Sequence, residues 1–101
     1  MMHYTYILRS LKTPGAIYIG YTCDLESRIA QHNSLQNNGY TKRHAPWVLE
    51  TYLAFSEEKD AKKFELYLKS NSGKAFMKKR LISNQFREVL EQFNNGRNKE
   101  R

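Results

Sequence analysis

Residues 17–32, IYIGYTCDLESRIAQH, constrain the fold most, because this stretch begins as a strand and ends as a helix. Its apolar residues first alternate with a period of two, as in a strand with one buried face. Gly20 has no side chain, so a backbone or a ligand can come close to the strand there, beside Tyr18. Thr22 is the predicted N-cap of the helix, and Arg28 and His32 then fall on or beside its apolar stripe. Polar side chains in such a stripe are expected at functional sites.

The rest of the chain predicts an α/β domain of the α+β type. Two segments rich in aromatic and β-branched residues flank Thr13-Pro14-Gly15, which predicts a β-hairpin. A third such segment follows Pro46. The predicted strands cover residues 3–9, 16–21 and 47–55, and the predicted helices cover residues 23–33, 57–69, 74–80 and 83–94. Because a small sheet needs helices on a face, we expect a three-stranded antiparallel sheet flanked by helices, with an extra C-terminal helix.

Short polar segments predict where these elements end. Ser56 and Ser83 are the predicted N-caps of the second and last helices, and residues 71–73, NSG, are predicted to stop the second helix. Residues 34–45 are predicted to form a loop, and residues 95–101 a flexible tail.

The net charge of +7 is concentrated in one segment. Residues 1–58 carry five basic and five acidic side chains, whereas residues 59–80 carry eight basic and two acidic ones, a net charge of +6. A local excess is expected of a surface that contacts a polyanion such as nucleic acid, but a lysine-rich helix that only aids solubility has the same composition. Charge alone leaves both readings open. The candidate nucleic-acid-binding residues are Lys42, Arg43, Lys62, Lys69 and Lys74.

Composition also excludes several classes of protein. No apolar run approaches the ~20 residues needed to span a membrane, and the N-terminus lacks a signal-peptide pattern, so no membrane partner is expected. Cys23 is the only cysteine, which excludes an internal disulfide and a cysteine-rich zinc site. A single cysteine fits a reducing compartment, and the predicted location is cytoplasmic.

Five side chains are candidate catalytic residues: Tyr6, Tyr18, Arg28, His32 and Glu65. Each has a structural alternative, since a strand tyrosine can simply pack, a helix histidine can be a satisfied core residue, and an arginine can lie on the surface. Glu65 is the strongest anomaly, because it interrupts an apolar helix stripe; its alternative is a salt bridge to Arg28 or a lysine. Together they supply a phosphate-binding cation, a metal-binding carboxylate and groups for proton transfer, as a phosphodiesterase requires.

Two tripeptides on the hairpin carry a resemblance to a known family. Tyr4-Thr5-Tyr6, followed after eleven residues by Tyr18-Ile19-Gly20, resembles the paired signature of the GIY-YIG nuclease superfamily. Residues 69–76, KSNSGKAF, resemble the small stand-alone bacterial members. The likeness covers about residues 2–80, so residues 1–80 are the predicted nuclease domain, and residues 81–94 a helix packed on that domain.

The resemblance implies a role for each candidate residue. Glu65 would hold one divalent metal ion, which we expect to be Mg²⁺ with Mn²⁺ as a substitute. Arg28 would steady the scissile phosphate, and a tyrosine of the pair, with His32 nearby, would help to deprotonate the attacking water. A tyrosine with a pKa near ~10 is a poor base at neutral pH unless Arg28 or the metal lowers that pKa.

This sequence departs from the family pattern at a few positions. Tyr4 and Thr5 replace the Gly and Ile of the first tripeptide, and Tyr21 stands where some members have a lysine. Asn71 is only a candidate for a late asparagine that other members contribute.

Two functions follow from these features. The first is a metal-dependent endonuclease that hydrolyses phosphodiester bonds of duplex or branched DNA, in DNA repair or recombination, with a partner protein or a homodimer supplying specificity. The second is a nucleic-acid-binding module on the same scaffold with little or no catalysis. The complete set of five candidates favours the nuclease, because a binding module needs no carboxylate among its phosphate-facing groups.

Overall fold

The computed structural model of the protein describes residues 1–36 and 39–99, with side chains as far as Gln92. Within these residues three strands and five helices form the predicted α+β fold, which is confirmed. In chain order they are β1 (His3–Ser10), β2 (Ile17–Thr22), α1 (Leu25–His32), α2 (Gly39–Arg43), β3 (Trp47–Phe55), α3 (Glu58–Leu68), α4 (Asn71–Arg80) and α5 (Asn84–Lys99). Over the described ranges, no helix has the length and apolar character needed to cross a membrane.

β1 is the central strand of the sheet, whose order is β2-β1-β3. It pairs antiparallel with both neighbours, and its register places Tyr6 opposite Gly20 on β2 and opposite Tyr52 on β3. An irregularity in the pairing with β3 lies between Ile7 and Leu8. The two edge strands therefore flank Tyr6 directly.

The β1–β2 turn follows from its residue types. The Ser10 hydroxyl accepts hydrogen bonds from the backbone N–H groups of Lys12 (3.1 Å) and Thr13 (2.8 Å). Gly15 has a φ of 88°, a left-handed conformation that glycine adopts without a steric cost. The predicted hairpin forms because these residues reverse the chain locally.

Side chains on the two faces of the sheet pack into two separate clusters, because successive residues of a strand point to opposite faces. On one face the strands meet α3, α4 and α5 in a buried cluster that contains Ile7, Ile19, Leu68, Met77, Ile82 and Phe86. On the other face Tyr6, Leu8 and Trp47 pack with Leu25 and Ile29 of α1. The second face is the one that carries Tyr6.

Two of the three predicted helix caps are wrong. The Thr22 hydroxyl accepts from the backbone N–H of Asp24 at 3.0 Å, so it forms a turn of its own and does not cap α1. Asp24 is the N-cap instead. The predicted cap at Ser56 is replaced by Glu57, which makes no side-chain capping bond. Ser83 is confirmed as the cap of α5, since its hydroxyl accepts from the backbone N–H of Phe86 at 3.1 Å.

Residues 71–73 begin a helix and do not merely end one, which corrects the prediction for this segment. α3 ends at Leu68, and Ser70 caps α4 by accepting from the backbone N–H of Gly73 at 3.1 Å. A Cβ atom on Gly73 would lie 1.7 Å from the carbonyl oxygen of Tyr67. Gly73 is therefore required because α4 packs directly against the end of α3.

The predicted boundaries also differ at two further places. Residues 34–45, predicted as a loop, include the short helix α2; residues 37 and 38 of that segment lie outside the described residues. α5 continues past residue 94 to Lys99, through most of the predicted tail, and residues 100 and 101 lie outside the described residues. Both helical segments are polar and lack the apolar periodicity that predicts a helix.

Candidate active site

The Tyr6 hydroxyl lies at the centre of the candidate active site. The side chain is fully buried, with 0% of its surface exposed. Its oxygen lies 2.9 Å from Nε2 of His32 and accepts a hydrogen bond from Nε of Arg28 at 3.3 Å. The Tyr18 ring centroid is 6.2 Å from that of Tyr6 and 4.6 Å from that of His32. Four of the five predicted catalytic residues therefore meet, from two strands and one helix.

Gly20 on β2 gives the Tyr6 ring the space to reach this position. The two residues are opposite each other in the sheet, and a Cβ atom on Gly20 would lie 2.5 Å from the Tyr6 hydroxyl oxygen and 2.6 Å from Cζ. It would also lie 2.9 Å from Cε1 of Tyr18. The group that comes close at Gly20 is thus the Tyr6 side chain, and not the backbone or ligand that the sequence predicts.

Asn33, the C-cap of α1, fixes the end of that helix against β3. Its Nδ2 donates to the carbonyl oxygen of Trp47 at 2.9 Å, and its Oδ1 accepts from the backbone N–H of Trp47 at 2.7 Å. This pair of bonds satisfies the backbone N–H and C=O of the first residue of β3, whose register partner on β1 is Ser10. Since His32 precedes Asn33, the anchor holds the buried imidazole toward Tyr6. The sequence gives no sign of this role, because the two residues are far apart in the chain.

Burial and neighbouring charges shift the pKa values of this cluster in opposite directions. Burial raises the pKa of Tyr6 above 10.0, although the Arg28 guanidinium opposes the rise. Burial and the charge of Arg28 lower the pKa of His32 below 6.5, so the imidazole is neutral at pH 7. The hydrogen bond to Tyr6 raises the pKa of Arg28, which stays charged. In the protein alone the phenol is therefore neutral, and His32 is the better proton acceptor.

Glu65 lies on α3, the helix that packs on β1 and β2 from the opposite face. Its side chain is 22% exposed, and a carboxylate oxygen lies 2.8 Å from Nζ of Lys69 one turn later. After burial and Tyr18, its negative charge contributes to the raised pKa of Tyr6. The salt-bridge alternative for Glu65 thus exists, with Lys69 as the partner, while its charge still acts on the Tyr6 cluster.

The partner of the Glu65 carboxylate is a lysine, and Glu65 itself offers one carboxylate to a cation. Among the described residues there is no group of three or more His, Cys, Asp or Glu side chains that could hold a metal ion. Zinc and similar ions need such a set, whereas Mg²⁺ keeps several of its waters and accepts one or two carboxylates. Glu65 offers the oxygen chemistry that Mg²⁺ prefers, and Lys69 would have to release it.

A polar cavity of about 360 Å³ opens beside Arg28 and His32. Its walls come from β2, α1, the turn after α1, and α2, through Tyr18, Arg28, Gln31, His32, Ser34, Gln36 and Thr41. Gln31 also accepts a hydrogen bond from a terminal nitrogen of Arg28 at 2.6 Å. The sequence offered one signal for Gln31, its i, i+3 spacing from Arg28, and none for the residues beyond α1.

The predicted nucleic-acid-binding residues do not form one patch of unpaired charge. Lys62 bonds Glu58 at 2.7 Å and lies over the Tyr21 ring, and Lys69 bonds Glu65. The others are exposed on helix ends: Lys42 and Arg43 end α2 beside the cavity, and Lys74 lies in the first turn of α4.

Comparison with known proteins identifies the family. The model of the GIY-YIG catalytic domain matches residues 2–80. A UPF0213 protein of Lactococcus lactis subsp. cremoris is 35% identical over 92 residues, covering 87% of this chain and 92% of the relative. UPF0213 protein YsiG of Lactococcus lactis subsp. lactis is 38% identical over 93 residues, covering 88% of each chain.

The fold agrees with a solved structure as well. The solution NMR structure of UPF0213 protein BH0048 from Bacillus halodurans matches with a TM-score of 0.51 and 30% identity, over 87% of this chain and 94% of that one. The resemblance seen in the sequence is confirmed by these comparisons. This chain therefore belongs to the GIY-YIG family, a nuclease superfamily whose catalytic domain acts on DNA and generally uses a divalent metal.

Proposed function

We propose that this protein is an endonuclease that hydrolyses phosphodiester bonds of DNA with the help of one divalent metal ion at Glu65. The observation that carries the proposal is the Tyr6 hydroxyl, which contacts a neutral imidazole on one side and a guanidinium on the other. A buried phenol that only packed would need one partner. Here its partners are a proton acceptor and a phosphate-binding cation, the groups that hydrolysis of a phosphodiester needs.

The proton path runs from water to His32 through Tyr6. Because the Tyr6 side chain is fully buried in the protein alone, this path requires water to enter beside its hydroxyl when DNA binds. As the oxygen of water forms a bond to phosphorus, its proton passes to the Tyr6 oxygen, and the Tyr6 proton passes to Nε2 of His32. The lowered pKa of His32 keeps Nε2 able to accept that proton at neutral pH. The bond from phosphorus to the leaving oxygen breaks, that oxygen takes a proton from solvent, and His32 then releases its added proton to solvent. Tyr6 ends neutral, so its raised pKa does not oppose the step.

Arg28 binds the phosphate and stabilises its developing charge. Tyr6 and Gln31 hold the guanidinium in one orientation through hydrogen bonds of 3.3 Å and 2.6 Å. A cation that is already in place stabilises the negative charge that develops in the transition state, because no side chain has to move during the reaction. When bound at Glu65, the metal would polarise the phosphoryl oxygen and stabilise the leaving oxygen. We propose Mg²⁺ in this role, with Mn²⁺ as a substitute.

The substrate, the biological context, the partner and the location of the reaction are part of the same proposal. We propose duplex or branched DNA as the substrate, DNA repair or recombination as the context, and a partner protein or second copy that enlarges the contact with DNA. The cytoplasm is the proposed location, because the exposed thiol of Cys23 stays reduced there.

A second candidate is a DNA-binding module without catalysis. The Glu65–Lys69 ion pair favours it, because a carboxylate neutralised by a lysine binds a cation less readily. The two candidates differ in one outcome, which is whether any DNA form is cut in the presence of Mg²⁺ or Mn²⁺.

Tyr6→Phe tests the proposal, because it keeps the ring and removes the hydroxyl. Loss of one proton-transfer group should slow nicking of supercoiled DNA by about 10²–10⁴-fold, with little change in DNA affinity by gel shift. Tyr52→Phe is the matched control, since Tyr52 faces Tyr6 in the sheet but is 50% exposed. It should cut at the wild-type rate.

Two results would contradict the nuclease. Tyr6→Phe that cuts as fast as Tyr52→Phe would remove Tyr6 from the mechanism. Wild-type protein that binds supercoiled, linear and branched DNA but cuts none of them with either metal would establish the binding module.

A further inference from the structure

The cavity beside Arg28 has lining residues that hydrolysis does not use. Gln36, Ser34 and Thr41 lie beyond the Tyr6 cluster, on the turn after α1 and on α2. They bring an amide and two hydroxyls to the lining of the cavity. A cavity of about 360 Å³ lies at the small end of ligand clefts, which typically measure about 300–1,000 Å³, so it suits a single nucleoside-sized group.

One side of the cavity offers planar groups. The Tyr18 and His32 rings lie 4.6 Å apart, and the Tyr18 ring is backed by Trp47 at 6.4 Å. The Arg28 guanidinium is planar, and its two hydrogen bonds hold it in one orientation. Aromatic rings and guanidinium planes are the surfaces on which proteins stack unpaired bases.

The lining also offers groups that recognise the edge of a base. Gln36 carries an amide, which presents a donor and an acceptor together, and Ser34 and Thr41 carry hydroxyls. The Gln31 amide keeps its donor, while its oxygen accepts from Arg28. None of the described residues that line the cavity is acidic. Amides and hydroxyls around a single cation suit a neutral ring attached to an anionic backbone.

We propose that this cavity binds one nucleobase of the DNA strand, adjacent to the phosphate that Arg28 holds. The inference rests on the proposed nuclease function and assigns Gln36, Ser34 and Thr41 as specificity-determining residues. The base enters by leaving its stack, stacks against the Tyr18 side, and is contacted on its edge by the amide of Gln36. Leaving the stack costs least for a base that is mismatched or already unpaired.

The test uses small probes without metal, so that binding is measured apart from cleavage. Thymidine 3′,5′-bisphosphate carries a base, whereas deoxyribose 3′,5′-bisphosphate carries the same phosphates without one. In ¹⁵N-labelled full-length protein, the thymidine compound should shift the side-chain amide signals of Gln31 and Gln36 and the backbone signal of Thr41. The base-free compound should shift Arg28 without moving Gln36 or Thr41, and should bind more weakly.

Gln36→Ala isolates the base contact, and its matched control is Gln92→Ala, at an exposed position on α5. Loss of the amide should weaken binding of thymidine 3′,5′-bisphosphate by about fivefold, while binding of the base-free compound is unchanged. The same variant should reduce the enzyme's discrimination among the four bases beside a mapped cut. Gln92→Ala should change none of these.

The outcomes separate this inference from the proposed function. Equal affinity and equal shifts for the two probes would overturn the base pocket, even if the enzyme cuts DNA through Tyr6. A clear preference for the thymidine compound, lost in Gln36→Ala, would support the pocket even if no DNA is cut. Should Gln36→Ala lose its fold, the comparison of the two probes on wild-type protein still decides.

Discussion

Gly20→Ala should place a methyl group against the Tyr6 side chain and disturb the active site and the fold together. The added Cβ would lie 2.5 Å from the Tyr6 hydroxyl oxygen and 2.6 Å from Cζ. The ring is fully buried and held by His32 and Arg28, so it cannot swing away without losing both contacts. Overpacking of this kind costs about 1–3 kcal/mol, and replacing a strand glycine by alanine returns about 0.5–1 kcal/mol, which leaves a net loss of up to about 2.5 kcal/mol.

Urea unfolding and thermal melting measure that loss, and a drop of up to about 20 °C in melting temperature is expected. The rate of DNA cleavage should fall as well, because the Tyr6 hydroxyl is displaced from His32. Tyr6→Leu provides the control, since it removes the ring that the methyl group meets. Gly20→Ala should cost less stability in a Tyr6→Leu background than in the wild type. A Gly20→Ala protein that is as stable and as active as the wild type would refute the assigned position of the Tyr6 ring.

Three further predictions concern neighbouring contacts. Burial lowers the pKa of His32 below 6.5, so the imidazole should gain a proton only at a lower pH. The cleavage rate should therefore remain above half of its plateau at pH 6.5 and fall below that pH. A pH–rate midpoint at or above 6.5 would contradict this prediction. Lys69→Met removes the ammonium that lies 2.8 Å from Glu65, so half-maximal cleavage should need less Mg²⁺, and an unchanged Mg²⁺ titration would count against a metal at Glu65. Asn33→Ala leaves the backbone groups of Trp47 without their partners and should cost about 1–3 kcal/mol in urea unfolding, whereas wild-type stability would show that water replaces both bonds.

Local patterns were enough to predict the sheet and most helices. The hairpin follows from two β-rich segments around Pro14 and Gly15, and the cap at Ser83 follows from its spacing to the last apolar stripe. The errors occur where tertiary contacts decide. Gly73 was interpreted as a helix terminator, but it is required by the contact between α4 and the end of α3. α2 has no apolar stripe, so its residues gave no helical signal.

The candidate site was predictable only in part. Tyr6, Tyr18, Arg28 and His32 interrupt the expected pattern or carry the family motif, and the structure brings them together. Partners contributed by distant segments left no trace in the sequence, because their roles depend on packing. The contact of Asn33 with Trp47 is one example, and the wall of the cavity beyond α1 is another.

Metal-dependent nicking by Glu65→Gln, compared with Glu58→Gln, tests the nuclease assignment most directly. Both glutamates lie on α3 and pair with a lysine four residues later, at 2.8 Å and 2.7 Å, so the two variants remove the same charge from the same kind of ion pair. With Mg²⁺ or Mn²⁺ and supercoiled DNA, Glu65→Gln should lose at least about 10²-fold in rate, because it removes the proposed ligand of the metal, and DNA affinity should persist. Glu58→Gln should cut like the wild type. Equal cleavage by the two variants would contradict a catalytic metal at Glu65.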